Sequence, residues 1–202
     1  MVVPAYGIEP ESLESRSAIL INADDGTVLF EKSANDKMQP ASITKIMLLL
    51  LISERMEDGQ ITLDQELTVS ENAAGMGGSQ IYLEAYETQT VENMLKAISM
   101  RSANDASVAM AEFMYGSVEG CVKAMNDRAK ELGMNDTIFT NVTGLPDPNH
   151  LTTAKDISKM TQELLKYNHV NEYMLTWMDS VFVGKEKDSE QVLVNTNRLI
   201  NN

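Results

Sequence analysis

The feature that most constrains the fold is the apolar run Ile46 to Ile52, inside a segment that reads as one helix from Pro40-Ala41-Ser42 to about Met56. Apolar side chains fall almost all round this helix, so it has no face to turn to water and belongs at the centre of its domain. Gly59 stops it. At 202 residues the chain is long enough to enclose such a helix in one substantial core, or in one domain with a smaller helical lobe. The run itself is too short to span a bilayer.

Around the central helix the patterns alternate between strand and helix. Ser17 to Lys32 places two apolar, branched runs either side of Asp24-Asp25-Gly26, the signature of a β-hairpin. Glu66 to Ser70 reads as a short strand, and Gly75-Met76-Gly77-Gly78 as a loop. Helices follow from Thr90-Val91-Glu92-Asn93, from Asn104 to Met114, from Val118 to Leu132 before Gly133, and from Ala154 to Tyr167. Asn141 to Thr153, rich in Asn, Gly, Pro and Thr, is a loop. Ser180 to Gly184 and Glu190 to Thr196 alternate like a second hairpin. The order predicts an α+β fold: an antiparallel sheet flanked by helices, with a mainly helical second lobe over about residues 71–168.

Two short patterns carry chemistry. In Ser42-Ile43-Thr44-Lys45, positions i and i+3 share a helix face, so the Lys45 amine can reach the Ser42 hydroxyl. A serine hydroxyl is a poor nucleophile until a neighbouring base takes its proton, and a lysine serves as that base when burial lowers its pKa. A helix start also favours developing negative charge. The competing reading is plain: S-x-x-K arises by chance about once in a chain of this length, and Ser is a favoured N-cap. The second pattern is Ser102-Ala103-Asn104, between two helices, where a hydroxyl can relay a proton and an amide can hold a substrate carbonyl. Alone it is weaker, since Asn104 fits a cap for the helix it precedes.

Together the two patterns say more than either does. A buried S-x-x-K helix followed about sixty residues later by S-x-N on a helical lobe is the active-site order of penicillin-binding proteins and serine β-lactamases. The chain resembles the low-molecular-mass D-alanyl-D-alanine carboxypeptidases from about Ser17 to Asn197. The resemblance runs through PASITKIM, GSQIYL from Gly78, SANDASVAMAE from Ser102, KELGMNDTIFTNVTGLPDPNHLTTAKDIS from Lys130, and VNTNRLI. It implies a β-lactamase/transpeptidase-like fold and a serine-type carboxypeptidase acting through an acyl-enzyme. By it, Ser42 is the nucleophile, Lys45 the general base and Ser102 the proton relay. Asn104 contacts the substrate amide, and the Ser42 N–H is half of an oxyanion hole. The implied partners are a peptidoglycan stem peptide ending in D-Ala-D-Ala and β-lactam antibiotics, with no cofactor and no metal. The implied location is extracytoplasmic, in the bacterial cell envelope. Ala103 stands where many relatives have glycine or aspartate.

The resemblance also implies a third element, a Lys-Thr/Ser-Gly strand shortly after N-T-N-[KR]-L. Here that segment is Asn195 to Leu199, and no K-T-G or K-S-G occurs in the sequence. The expectation is a single incomplete catalytic domain over 1–202, with its last strands missing. Two alternatives stay open: a catalytically impaired peptidoglycan- or penicillin-binding module, which the missing element favours, and a class A β-lactamase. The latter needs a loop glutamate, yet the equivalent region reads GLPDPNHLTT. A net charge of -14 argues against nucleic acid, whose phosphates need a basic surface. No signal peptide with a basic start and apolar centre precedes the first strand. Val2-Val3-Pro4-Ala5 fits the remnant of one, and membrane association is expected only through segments outside this chain. The lone Cys121 excludes an internal disulfide and reads as a small core residue. His150 is expected to pin the GLPDPN loop, with contact to a substrate as the alternative, His169 has no assigned role, and the 14 methionines read as packing.

Overall fold

The computed structural model describes residues 12–200, and the Val2–Ala5 stretch lies outside them. The first hairpin pairs β1 (Ala18–Ile21) antiparallel with β2 (Val28–Lys32), with Ala18 opposite Lys32 and an irregularity after Leu20. A 3-10 turn, Ala41–Thr44, then leads into α1, Lys45–Glu57. Met47 to Ile52 are each 0–5% exposed, as a helix without a polar face requires. Gly59, at φ +68°, takes the chain out of the helix in the left-handed region that glycine enters without strain.

A second antiparallel pair joins β3 (Glu66–Thr68) to β4 (Thr88–Thr90), enclosing the short helix α2 (Glu71–Ala74) and the glycine-rich loop. Helices follow in order: α3 (Val91–Lys96), α4 (Asn104–Tyr115), α5 (Val118–Glu131), α6 (Ala154–Leu164) and α7 (Asn168–Leu175). Ser70, Thr90, Ser117 and Thr153 cap α2, α3, α5 and α6 through side-chain oxygens that accept from backbone N–H groups. The last hairpin pairs β5 (Met178–Val183) with β6 (Ser189–Val194). Among the described residues the strands thus form three separate two-stranded antiparallel sheets. Helix α1 packs against α4, α5, α6 and α7, which makes it the axis of the core. Among the described residues no helix is long and apolar enough to cross a membrane.

Three details depart from the reading of the sequence. The helix expected to run from Ala154 to Tyr167 ends at Leu164. Tyr167 adopts an extended backbone (φ -101°, ψ 113°) and a new helix, α7, begins. No Gly or Pro marks this break; burial of Val170 and Tyr173 against the core sets the new direction. His169 therefore sits in the first turn of α7, not in the last turn of α6. After α3 the chain makes a π-helical turn, Ala97–Arg101, and leaves it at Ser102 in the left-handed conformation, φ +56°.

Loop 137–153 is held by main-chain pairing. Ile138 bridges Leu151, and Thr152 bridges Met38 just ahead of the 3-10 turn. Asn195 ties the last hairpin to α7: its side-chain N–H group donates to the Met174 and Thr176 carbonyls, at 3.0 and 3.1 Å. Glu87, almost fully buried, accepts from the backbone N–H of Glu84 and Gly184 and from Gln89 Nε2, joining the β3–β4 region to β5–β6. Cys121 is buried, and desolvation pushes its thiol up to about 12, so it is an inert packing group.

Leu50 is 0% exposed at the middle of α1. Leu50→Ala is expected to cost about 2–5 kcal/mol of stability, read as a lowered urea midpoint. A loss below about 1 kcal/mol would show that the core is not centred on this helix.

Candidate active site

Ser42 lies inside the 3-10 turn and is exposed; the flanking N-cap positions are Pro40 and Thr44, so Ser42 is not acting as a cap. One turn on, Lys45 is only 3% exposed. Its Nζ lies 3.4 Å from Ser42 Oγ, donates to Asn104 Oδ1 at 2.8 Å and donates to the Thr143 carbonyl at 2.7 Å. Among the described residues no carboxylate pairs with it. Burial without a counter-ion penalises the charged form and pushes the amine down to about 8.

Asn104 is the first residue of α4, whose N-cap is Ala103, so Asn104 does not cap its own helix. Its Nδ2 donates to the Gly77 carbonyl at 2.8 Å, which fixes the amide orientation and turns Oδ1 toward Lys45. Its backbone N–H donates to the Ser79 carbonyl. Next to it, the buried carboxylate of Asp105 accepts from the N–H groups of Ile81, Leu83 and Ala106. Desolvation pushes the Asp105 carboxyl up, and these N–H donors oppose it. The glycine-rich loop and the Gln80–Leu83 segment are thereby fastened to the start of α4.

Ser102 lies two residues before Asn104, and its Oγ is buried without a hydrogen-bond partner among the described residues. Ser42, Lys45 and Asn104 are therefore joined by contacts, whereas the Ser102 hydroxyl makes no hydrogen bond to any of them. A π-turn leading into a left-handed serine is a strained arrangement of the kind concentrated at functional sites.

The third wall comes from loop 137–153. Gly144, at φ +83°, lies so close to Ala41 and Ser42 that a Cβ there would stand 1.8 Å from the Ala41 carbonyl oxygen and 2.9 Å from Ser42 N. Ala41 itself is left-handed, φ +49°, a conformation costing roughly 1–2 kcal/mol for a residue with a Cβ. His150, 1% exposed, lies against Thr44, with Nε2 2.7 Å from Thr44 Oγ1. The loop is thus attached to the turn that carries Ser42, as well as pinned to itself.

The residues that reading the sequence missed are mostly main-chain groups. The carbonyls of Thr143 and Gly77 have no side-chain signature, and only the glycines in T-G-L-P and G-M-G-G mark where backbone comes close. Among the described residues no group of three or more His, Cys, Asp or Glu side chains is gathered where a metal ion would sit.

A serine one helical turn from a buried, uncompensated lysine, facing an asparagine at the head of α4, is the arrangement that penicillin-binding proteins share with serine β-lactamases. The fold agrees: penicillin binding protein 5 from Haemophilus influenzae superposes with a TM-score of 0.87 over 96% of this chain and 56% of that chain, at 24% identity. Within that class the chain belongs to the D-alanyl-D-alanine carboxypeptidase family, whose model matches residues 5–202. It is 49% identical over 187 residues to the D-alanyl-D-alanine carboxypeptidase DacF of Bacillus subtilis (strain 168), covering 93% of this chain and 48% of that protein. It is 33% identical to the D-alanyl-D-alanine carboxypeptidase DacC of Escherichia coli (strain K12), covering 78% of this chain and 41% of that protein. The chain thus spans less than half the length of both relatives.

Gly133 is also left-handed (φ +68°) but has open space where a Cβ would go. Gly133→Ala is expected to cost only the local strain, about 1–2 kcal/mol. Gly144→Ala adds a collision with backbone and should cost over about 3 kcal/mol in a urea titration. Equal losses would show that loop 137–153 does not press on the turn that carries Ser42.

Proposed function

We propose that this chain performs the acyl-enzyme chemistry of a serine-type D-Ala-D-Ala carboxypeptidase, with Ser42 as nucleophile and Lys45 as general base. The observation that carries the reading is the set of groups around the Lys45 amine. A neutral amine has two N–H bonds and one lone pair. The Thr143 carbonyl and Asn104 Oδ1 are pure acceptors, so they take both N–H bonds and leave the lone pair for Ser42 Oγ. The 3.4 Å separation is the loose contact usual before substrate closes a site.

In this mechanism Ser42 Oγ bonds to the carbonyl carbon of the terminal D-Ala-D-Ala link and its proton passes to Lys45. The oxyanion forms against the Ser42 N–H. The C–N bond then breaks, and the leaving D-alanine amine takes the Lys45 proton through the Ser102 hydroxyl. Water attacks the ester and gives a proton to Lys45, which passes it to Ser42 Oγ as the ester C–O bond breaks and the shortened peptide departs. A β-lactam follows the first half of this course, its ring C–N bond opening in place of the peptide link. Asn104 orders Lys45 through Oδ1 and contacts the substrate amide through its Nδ2 group, exchanging the Gly77 carbonyl for it. The substrate is a peptidoglycan stem peptide ending in D-Ala-D-Ala, in the extracytoplasmic space of a bacterial envelope. Residues 71–168, which contain α2 to α6, form the helical lobe of the catalytic domain and carry Ser102 and Asn104.

A fluorescent penicillin should label Ser42 covalently in the protein expressed from its whole reading frame, and Ser42→Ala should abolish the label. Labelling should quicken as pH rises through about 8, because below that value Lys45 holds a proton and cannot accept one. D-Alanine release from a D-Ala-D-Ala peptide should follow the same profile. Label that survives in Ser42→Ala, or maps to another serine, would refute the assignment. Rapid β-lactam turnover would make the protein a lactamase.

A further inference from the structure

We infer that Thr44 and His150 are positioning residues, which aim the Ser42 N–H by holding the Ala41 carbonyl through a relay of hydrogen bonds. The inference rests on the acyl-enzyme reading above and adds two residues that touch neither substrate nor the reacting atoms.

The direction of each bond in the relay is set by chemistry at its ends. The Thr140 N–H, which can only donate, lies 3.0 Å from His150 Nδ1, so that nitrogen is bare and the proton of the neutral ring is on Nε2. Burial, which pushes the imidazole down in pKa against the opposing charge of Asp147, agrees with a neutral ring. His150 Nε2–H then donates to Thr44 Oγ1 at 2.7 Å. At the other end the Ala41 carbonyl, which can only accept, lies 2.8 Å from Thr44 Oγ1, so the threonine proton is directed there. Thr44 has one hydroxyl proton to give, and both ends assign it in the same sense. The relay runs Thr140 N–H, His150, Thr44, Ala41 C=O.

The Ala41 carbonyl matters because of what is rigidly attached to it. The Ala41–Ser42 peptide is planar and trans, so its C=O and the Ser42 N–H point in opposite directions from one plate. Fixing the oxygen fixes the aim of the N–H. Ala41 is left-handed and would relax if released, tilting the plate. Gly144 blocks one face of that plate, with room for no side chain between them. The Thr44 hydroxyl holds its oxygen. A donor so fixed is the kind of preorganised group that stabilises an oxyanion without reorganising during the reaction.

The test compares Thr44→Val, which keeps the shape and removes the hydroxyl, with Thr44→Ser, which keeps the hydroxyl, with His150→Ala, and with the Thr44→Val/His150→Ala pair. Each is assayed in the whole protein for the acylation step of a fluorescent penicillin per folded molecule, for its reversible affinity, and for its urea midpoint. Thr44→Val and His150→Ala should slow acylation by about 10- to 100-fold, short of the roughly 10²–10³ for deleting an oxyanion donor outright. Reversible affinity should hold, and Thr44→Ser should stay within about threefold of the parent. The double variant should be no slower than the slower single, because both act on one relay. Parent-like acylation in a merely less stable Thr44→Val would reduce the pair to a structural role and overturn the inference. So would Thr44→Ser as slow as Thr44→Val. A parent that is not labelled at Ser42 removes the acyl-enzyme reading instead. The relay is then judged by the structure of Thr44→Val, in which Ala41 should leave the left-handed region; an unchanged φ overturns it.

Discussion

The site is organised by the cost of burying a lysine. An amine 3% exposed with no carboxylate beside it is tolerable only as a largely neutral group whose hydrogens are satisfied by uncharged acceptors. Those acceptors come from parts of the chain that share no local structure with α1: the Thr143 carbonyl from loop 137–153, and Asn104 from the head of α4. Each needs its own support. Asn104 is oriented by the Gly77 carbonyl, and the Ile81–Leu83 segment just after the glycine-rich loop is tied down by Asp105. Loop 137–153 is tied to Met38 and to Thr44. A carboxylate partner would have been the simpler way to stabilise Lys45, but it would raise the pKa that burial lowers and hold a proton on the proposed base.

Two of the six described non-glycine residues with positive φ fall next to this lysine's partners. Ala41 and Ser102 are left-handed without being glycine; Ala41 directly precedes Ser42, and Ser102 lies two residues before Asn104. Such conformations persist where surrounding contacts over-determine them. Ala41 is held between Gly144 and the Thr44 hydroxyl. Ser102 is reached through a π-turn whose residues Ala97, Ile98 and Met100 are buried.

Much of this was legible in the sequence because it rests on period and punctuation. The apolar circumference of α1, the Asp-Asp-Gly turn of the first hairpin and the helix starts at Val91, Val118 and Ala154 are local signals, and local physics decides them. The pairing of Ser42 with Lys45 follows from helical spacing alone. What escaped is tertiary. The break between α6 and α7 has no turn residue, because packing of Val170 and Tyr173 makes it. The acceptors of Lys45 are carbonyls, which every residue possesses and no motif can display. Thr44 sits within S-x-x-K as a spacer letter, and its hydroxyl acquires meaning only when His150 arrives from far along the chain. How the strands share out into three pairs is likewise decided between hairpins, not within them.

The spread of these contacts along the chain bears on how the protein folds. Lys45 meets Asn104 across 59 residues of sequence and Thr143 across 98. Helix α1 can form early, yet closing loops of that length is a late, global event, since the entropy of closure is spent before the contacts that reward it exist. Until both closures occur the lysine is solvated and near its ordinary pKa, and the serine beside it is an ordinary alcohol. On the proposed mechanism, a nascent or partly unfolded chain thus carries the complete S-x-x-K sequence while its serine stays unreactive toward passing carbonyls.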